Sequence, residues 1–325
     1  MSAPMMGPKR PWSLTQQLPL ELAVLGAWLA GFGAAALLEY APNASLWFPP
    51  AGIAFAAVLV LGRRALPVLF LGCFQVTILA DQVYERGQTW SELLLAGAAF
   101  AISHALIYGL AAILLRRRVR PTADYLSRSD ILAFLLIGLV ASGVSSALAG
   151  ISMVALGTIQ PAESAALIRT WWVGDYAGLV TVAPLVAVLL SHLSARLQAR
   201  AAARFDRVDG LDRLDSLWTS ALPGLSTLLV GALLLLAVPV FLNQLWLVYG
   251  LLLSAPIMIR LAKTEAAIAT VAGVFGLTLL VASAVSSSPL RQHALDLQLI
   301  VIALAAISYL ALTIHKPRRL QVKSS

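Results

Sequence analysis

The stretch Leu18-Pro-Leu-Glu-Leu-Ala-Val-Leu-Gly-Ala-Trp-Leu-Ala-Gly-Phe-Gly-Ala-Ala-Ala-Leu-Leu-Glu-Tyr40 decides how the chain is read. Behind Lys9 and Arg10 it could be a secretory leader or a first membrane span. It is longer than the roughly 7–15 apolar residues of a leader, and about 20 such residues cross a bilayer. It reads as a retained transmembrane helix, which makes the bilayer the solvent for the rest of the chain. Composition agrees: 60% of the 325 residues are hydrophobic and 12% are charged, and the mean hydropathy is +0.86. A soluble domain carries about 25% charged residues.

Apolar runs continue along the chain. Helices are expected near 18–40, 46–62, 65–81, 92–115, 130–156, 170–193, 221–242, 245–260, 265–286 and 296–315. The expectation is an all-α polytopic bundle of about ten helices (eight to ten), with the spans near 46–62, 65–81 and 245–260 short for a full crossing. Residues 1–17 form a cytoplasmic tail, 18–315 the bundle, and 316–325 a short basic tail. Basic residues collect on the cytoplasmic side. With both ends placed there, Arg86, Arg169 and Arg291 fall outside, and the rest of the 23 Lys and Arg fall inside. The net charge of +8 is thereby explained by topology, without nucleic acid. Cys73 is the one cysteine, so neither an intrachain disulfide nor a cysteine metal site is expected. No P-loop, Gly-x-Ser-x-Gly or metal-ligand spacing occurs.

Between about Ser194 and Leu217, Arg196, Arg200 and Arg204 share a helical face, followed by Asp206, Asp209, Asp212 and Asp215. This reads as a solvated, ion-paired cytoplasmic helix that also fixes topology, with a docking surface for a cytoplasmic partner as the alternative. Small residues such as Gly31, Gly97, Gly143 and Gly150 suit close helix packing in lipid.

Two stretches carry candidate chemistry. In Asn43-Ala-Ser-Leu-Trp-Phe-Pro-Pro-Ala-Gly52, Pro49 and Pro50 suit a first helical turn, and Asn43 or Ser45 suits a cap. Trp47 and Phe48 then fall at headgroup level. In Arg169-Thr-Trp-Trp-Val-Gly-Asp-Tyr-Ala-Gly178, closed by Pro184, Asp175 lies about 9 Å inside a helix starting near 170, flanked by Gly174 and Gly178. A carboxylate there should face the bundle interior or water. Glu39, Asp81, Trp171 and Trp172 fall on the same outer side, and His104 near the midplane. Acids beside aromatics suit a cationic or amphipathic ligand. Glu21, His293 and Asp296 read as interfacial.

These two stretches resemble the first type of bacterial membrane-associated sensor domain, abbreviated MASE. The matching residues are Asn43, Ser45, Leu46, Trp47, Pro49, Pro50, Ala51 and Gly52, with Gly62 and the Pro67–Gly72 region. Trp171, Trp172, Gly174, Asp175, Gly178 and Pro184 form the second hallmark. The region from Leu247 through Pro256 and Arg260 to Leu297 and Gln298 is also similar. The resemblance implies a sensory input module of the bacterial inner membrane. Such bundles usually precede a cyclase or kinase domain, yet no Gly-Gly-Asp/Glu-Glu-Phe signature or kinase histidine box is present. The expectation is a non-enzymatic sensor without cofactor or metal. It would be embedded in lipid, would itself form a possible homodimer, and would signal to a cyclase, phosphodiesterase or kinase in trans. The alternative is a small-molecule or ion transporter using Asp175 and His104. A membrane-embedded enzyme ranks last, because no nucleophile–base pair is evident.

Overall fold

A computed structural model describes residues 14–37, 39–41, 44–45, 47–118, 128–203 and 294–312. The expected helices at 221–242, 245–260 and 265–286, the charged run from Arg204 to Asp215, Asn43, and the last residues of the chain lie outside that set. Helices dominate it. Five stretches (17–36, 49–83, 90–118, 128–155 and 161–197) are long and apolar enough to cross a membrane. Leu22, Leu71, Leu95, Leu110, Leu136 and Ile151 are all exposed, as lipid-facing side chains are and as a water-facing surface of this size is not.

Helix α1, Leu14–Leu37, is amphipathic in burial rather than in composition. Leu20, Val24, Trp28 and Ala35 are buried along one stripe, while Leu18 and Leu22 on the other side are exposed. It stops short of the expected 40. Glu39–Ala41 (β1) and Ala44–Ser45 (β2) form a small antiparallel hairpin, the one β structure among the described residues.

Helix α2, Pro49–Leu61, comes next. It begins three residues later than expected and is only 13 residues long, about 20 Å. Every residue from Pro49 to Val58 is buried, consistent with a helix that is apolar all round. Its N-cap is Phe48, with no side-chain cap. The Ser45 hydroxyl instead donates to the Trp47 carbonyl at 2.8 Å. Pro at the first turn removes a donor that had no intrahelical partner.

A 3-10 turn, Gly62–Ala65, reverses the chain into α3, Leu66–Val83. Gly62 has φ +75°, a backbone region that glycine enters freely. Tertiary contacts set the directions. Gly72 of α3 lies against Trp28 of α1, and Tyr84 bonds Glu39, so α3 runs alongside α1 in the same sense. Phe48 meets His104, and Gly62 meets Arg116, so α2 runs the opposite way, back towards Arg116.

Helix α4, Trp90–Phe100, starts with a complete capping box between Thr89 and Glu92, which satisfies two first-turn donors. It passes through a π-helical segment, Ala101–Leu106, into α5, Ile107–Arg118. Helix α6 is Arg128–Ala155. Helix α7, Pro161–Ala203, has 43 residues and begins nine residues before the expected 170. It also takes in the positions of Arg196 and Arg200. The last described helix, α8, is Ala294–Leu312.

Glycines set the closest approaches. The α6–α7 seam has Leu179 against Gly138, Trp172 against Gly143 and Ile168 against Gly150, the small-residue packing that lipid-embedded helices favour. Pro184 inside α7 has no N–H to donate to the Val180 carbonyl one turn earlier. The Tyr309 hydroxyl of α8 donates to that carbonyl at 2.7 Å instead.

Candidate functional site

The two hallmark stretches meet. The extended residues before α2 lie across α7, and the Phe48 N–H donates to the Gly174 carbonyl at 3.2 Å. Glycine makes this possible. A β-carbon at Gly174 would lie 2.9 Å from the Ser45 carbonyl oxygen, one at Gly52 would lie 2.6 Å from the Gly178 carbonyl oxygen, and one at Gly178 would overlap the Phe48 carbonyl. The glycines beside Asp175 therefore make room for main chain. The Trp47 indole donates to the Thr181 hydroxyl at 2.9 Å. Thr181 in turn donates to the Ala177 carbonyl at 2.7 Å.

This placement corrects two expectations. Trp47 and Phe48 are not headgroup anchors: they sit inside the bundle, with Phe48 packed on Phe32 and His104. Asp175 is not about six residues into its helix: α7 begins at Pro161, fourteen residues or about 21 Å before it. It is level with His104, whose Nδ1 is 4.0 Å from Asp175 Oδ2.

Asp175 is 7% exposed. Tyr108, one helical turn beyond His104, donates to its Oδ2 at 2.7 Å. Ser145 of α6 bonds Tyr108; since the phenol proton goes to Asp175, Ser145 is the donor. His104 is enclosed by the rings of Trp28, Phe48, Phe100 and Tyr108, at centroid distances of 6.0, 5.2, 5.3 and 4.8 Å. It hydrogen-bonds the Pro50 carbonyl, and its Nε2 is buried without a partner. The bonded atom is therefore Nδ1, which carries the proton because a carbonyl only accepts. The π segment carries His104 into this position; such segments are frequent at functional sites.

Above Asp175, towards Glu39, a cavity of about 220 Å³ opens. Asp175, His104 and Phe48 line its deep end; Glu39, Tyr84 and Arg86 line its mouth. Its walls are mostly apolar, with Ser103, Ser145 and Ser146 among them. At the mouth the Tyr84 hydroxyl donates to Glu39, and the Arg86 guanidinium lies 5.0 Å from the Tyr84 ring centre. Burial first, then the bond to Glu39 and its charge, hold the Tyr84 phenol above its ordinary value, with Arg86 opposing.

Of the residues singled out from sequence, Glu39, Ser45, His104, Trp171, Gly174 and Asp175 line one cavity. Asp81 does not, and accepts instead from the Gln88 N–H at 3.0 Å. Trp172 turns away, 41% exposed, donating to the Leu139 carbonyl at 2.9 Å. Pro49 and Pro50 are buried behind Phe48 rather than at the cavity. Tyr108, Phe100 and Ser145 join the site without having been expected there. Tyr108 was findable as a polar group one turn from His104 in an apolar helix; Ser145 had no distinguishing signal.

Fold and site together define a helical membrane protein with a carboxylate at the bottom of an apolar cavity. A model of the MASE1 family matches residues 16–318. The chain belongs to that family of membrane sensory domains. No curated protein and no solved structure matches it.

Proposed function

We propose that this protein is the input module of a bacterial inner-membrane signalling system. A ligand enters the cavity from the extracytoplasmic side and changes the packing of the α2–α7 seam. The cytoplasmic face passes the change to a cyclase, phosphodiesterase or kinase partner, with the module acting singly or as a homodimer. The observation that carries the reading is the cavity ending on Asp175, built where the two hallmark stretches dock. Orientation rests on charge: Arg63, Arg64, Arg116, Arg117 and Arg118 gather at the end away from the mouth, the side the positive-inside rule assigns to the cytoplasm. A ligand shifts the module only if it binds the two packings unequally.

The test is a partner-dependent readout in intact cells. Crosslinking from membranes should capture a signalling enzyme, and Asp175→Asn should insert normally yet abolish the change in that enzyme's output. An unaltered response in Asp175→Asn would remove the site from the mechanism. Cysteine labelling should reach the Tyr84 end from outside and the Arg116 end from within.

One observation favours transport as the second reading. Helix α2 starts part-way through the bundle, as the broken helices around transported substrates do. Against it, the core beyond His104 towards Arg116 is closed by Phe55, Val58, Leu69 and Ala112, each fully buried. Solute flux in reconstituted vesicles, lost in Asp175→Asn, would decide for transport.

A further inference from the structure

Resting on the reading of the cavity as the input site, the chemistry of its deep end narrows the ligand. Asp175 engages one hydrogen bond through Oδ2; among the described residues none is donated to Oδ1. A carboxylate has about four acceptor positions, so the buried group is left with capacity facing the cavity. Among the described residues no neighbour competes for it. The His104 Nδ1–H is committed to Pro50, and its Nε2 is sealed among rings. Among the described residues the one lysine or arginine lining the cavity is Arg86, at the mouth against Tyr84. Glu39, also at the mouth, adds a second carboxylate. An anionic guest would meet the Asp175 carboxylate at the deep end, where the described lining residues offer neutral donors such as Ser103, Ser145 and Trp171 and no cation. A neutral apolar guest would leave the carboxylate dry and under-solvated, which is costly.

The walls supply the other half. Phe32, Phe48 and Phe100 line the space beside Asp175, and aromatic faces attract ammonium groups, most strongly when water is excluded. From Ser145 to Leu156, both lining residues on the α6 side, the cavity spans about 16 Å of helix, room for a short chain behind a charged head. We infer that the cavity takes an amphipathic organic cation, an ammonium whose head pairs with Asp175 and whose short apolar tail lies against Phe32, Phe100 and Met153.

The probe is n-hexylammonium, added to the full chain purified in a non-ionic detergent and followed by thermal unfolding at constant ionic strength. It should raise the melting temperature in a saturable way at millimolar concentration. The uncharged n-hexanol and the anionic hexanoate should not, and Asp175→Asn should weaken the effect at least about tenfold. Equal stabilisation by hexanol, or stabilisation by hexanoate, would overturn the proposal. Both comparisons use the native chain and stand even if Asp175→Asn does not fold. Tyr108→Phe, which keeps the carboxylate, should retain binding; loss there together with retention in Asp175→Asn would also overturn it. The two readings fail separately. Saturable binding without a signalling change would leave the ligand class and remove the sensor role. A signalling defect in Asp175→Asn without ammonium binding would do the reverse.

Discussion

Towards Arg116 the bundle is closed; towards Glu39 it is open. Around Phe55 and Val58, α2 is buried on every side and the neighbouring helices touch through apolar side chains. Above Phe48 none of the described helices fills the same space: extended main chain lies on one side and a cavity on the other. One short helix therefore does two jobs. By starting part-way through the bundle, α2 seals one half and leaves the other vacant, and the glycines of α7 hold the entering strand where the change occurs. In lipid, irregular backbone is tolerated only if buried in protein or lining a water-filled space. Ser45 and Phe48 satisfy that condition, meeting α7 at Gly174 and Gly178 while lining the cavity on the other side.

Substitutions in the two halves put this contrast at risk. The largest effect is expected from Gly178→Ala, because the added β-carbon overlaps the Phe48 carbonyl and main chain cannot step aside. A loss of about 3 kcal/mol or more is expected, seen as failure to give a monodisperse protein in detergent. Gly26→Ala, where a β-carbon meets nothing, should be neutral or slightly stabilising. Equal behaviour of the two would refute the seam.

Next, Phe55→Ala should cost about 3 kcal/mol in the closed half, while Phe100→Ala at the cavity wall should cost less in thermal stability and more in response. Tyr309→Phe should cost about 1–3 kcal/mol by leaving the Val180 carbonyl unpaired. In a Pro184→Ala background the helix supplies its own donor, and a double-mutant cycle should show most of that cost gone.

The smallest effect concerns pH at the mouth. The Tyr84 phenol is held above its ordinary value near 10, so the protonated form is preferred when folded. That contribution is complete below about pH 10 and fades as pH rises through the raised folded value. Tyr84→Phe should therefore flatten part of the alkaline loss of melting temperature; an unchanged alkaline profile would detach Tyr84 from the fold.

Much of this was legible in the residues. Unbroken apolar runs announce a lipid-embedded bundle, and the pairing of a proline-rich stretch with a glycine-flanked Asp175 marks the two segments that meet. What was hidden has physical causes. Trp47 is amphipathic and suits a headgroup layer as well as a buried bond to Thr181; its local sequence does not choose. Glu163 and Arg169 look like the end of a loop, which puts the start of α7 near 170 and Asp175 close to the surface. A helix can carry charges beyond the oily layer without ending there. The π segment at Ala101–Leu106 leaves the apolar pattern intact and so gives no sign, although it sets where His104 lies.

The length of α7 has a mechanical consequence. Forty-three residues make a rod of about 64 Å, against a hydrocarbon layer of about 30 Å. From Asp175 to Ala203 the arm is about 42 Å. If the strand gripping Gly174 and Gly178 acts as a fulcrum, a tilt of about three degrees there sweeps the distant tip through about 2 Å. A nudge smaller than a bond length beside Asp175 thus arrives enlarged at the opposite extremity, with Pro184 as the joint that either stiffens or absorbs it.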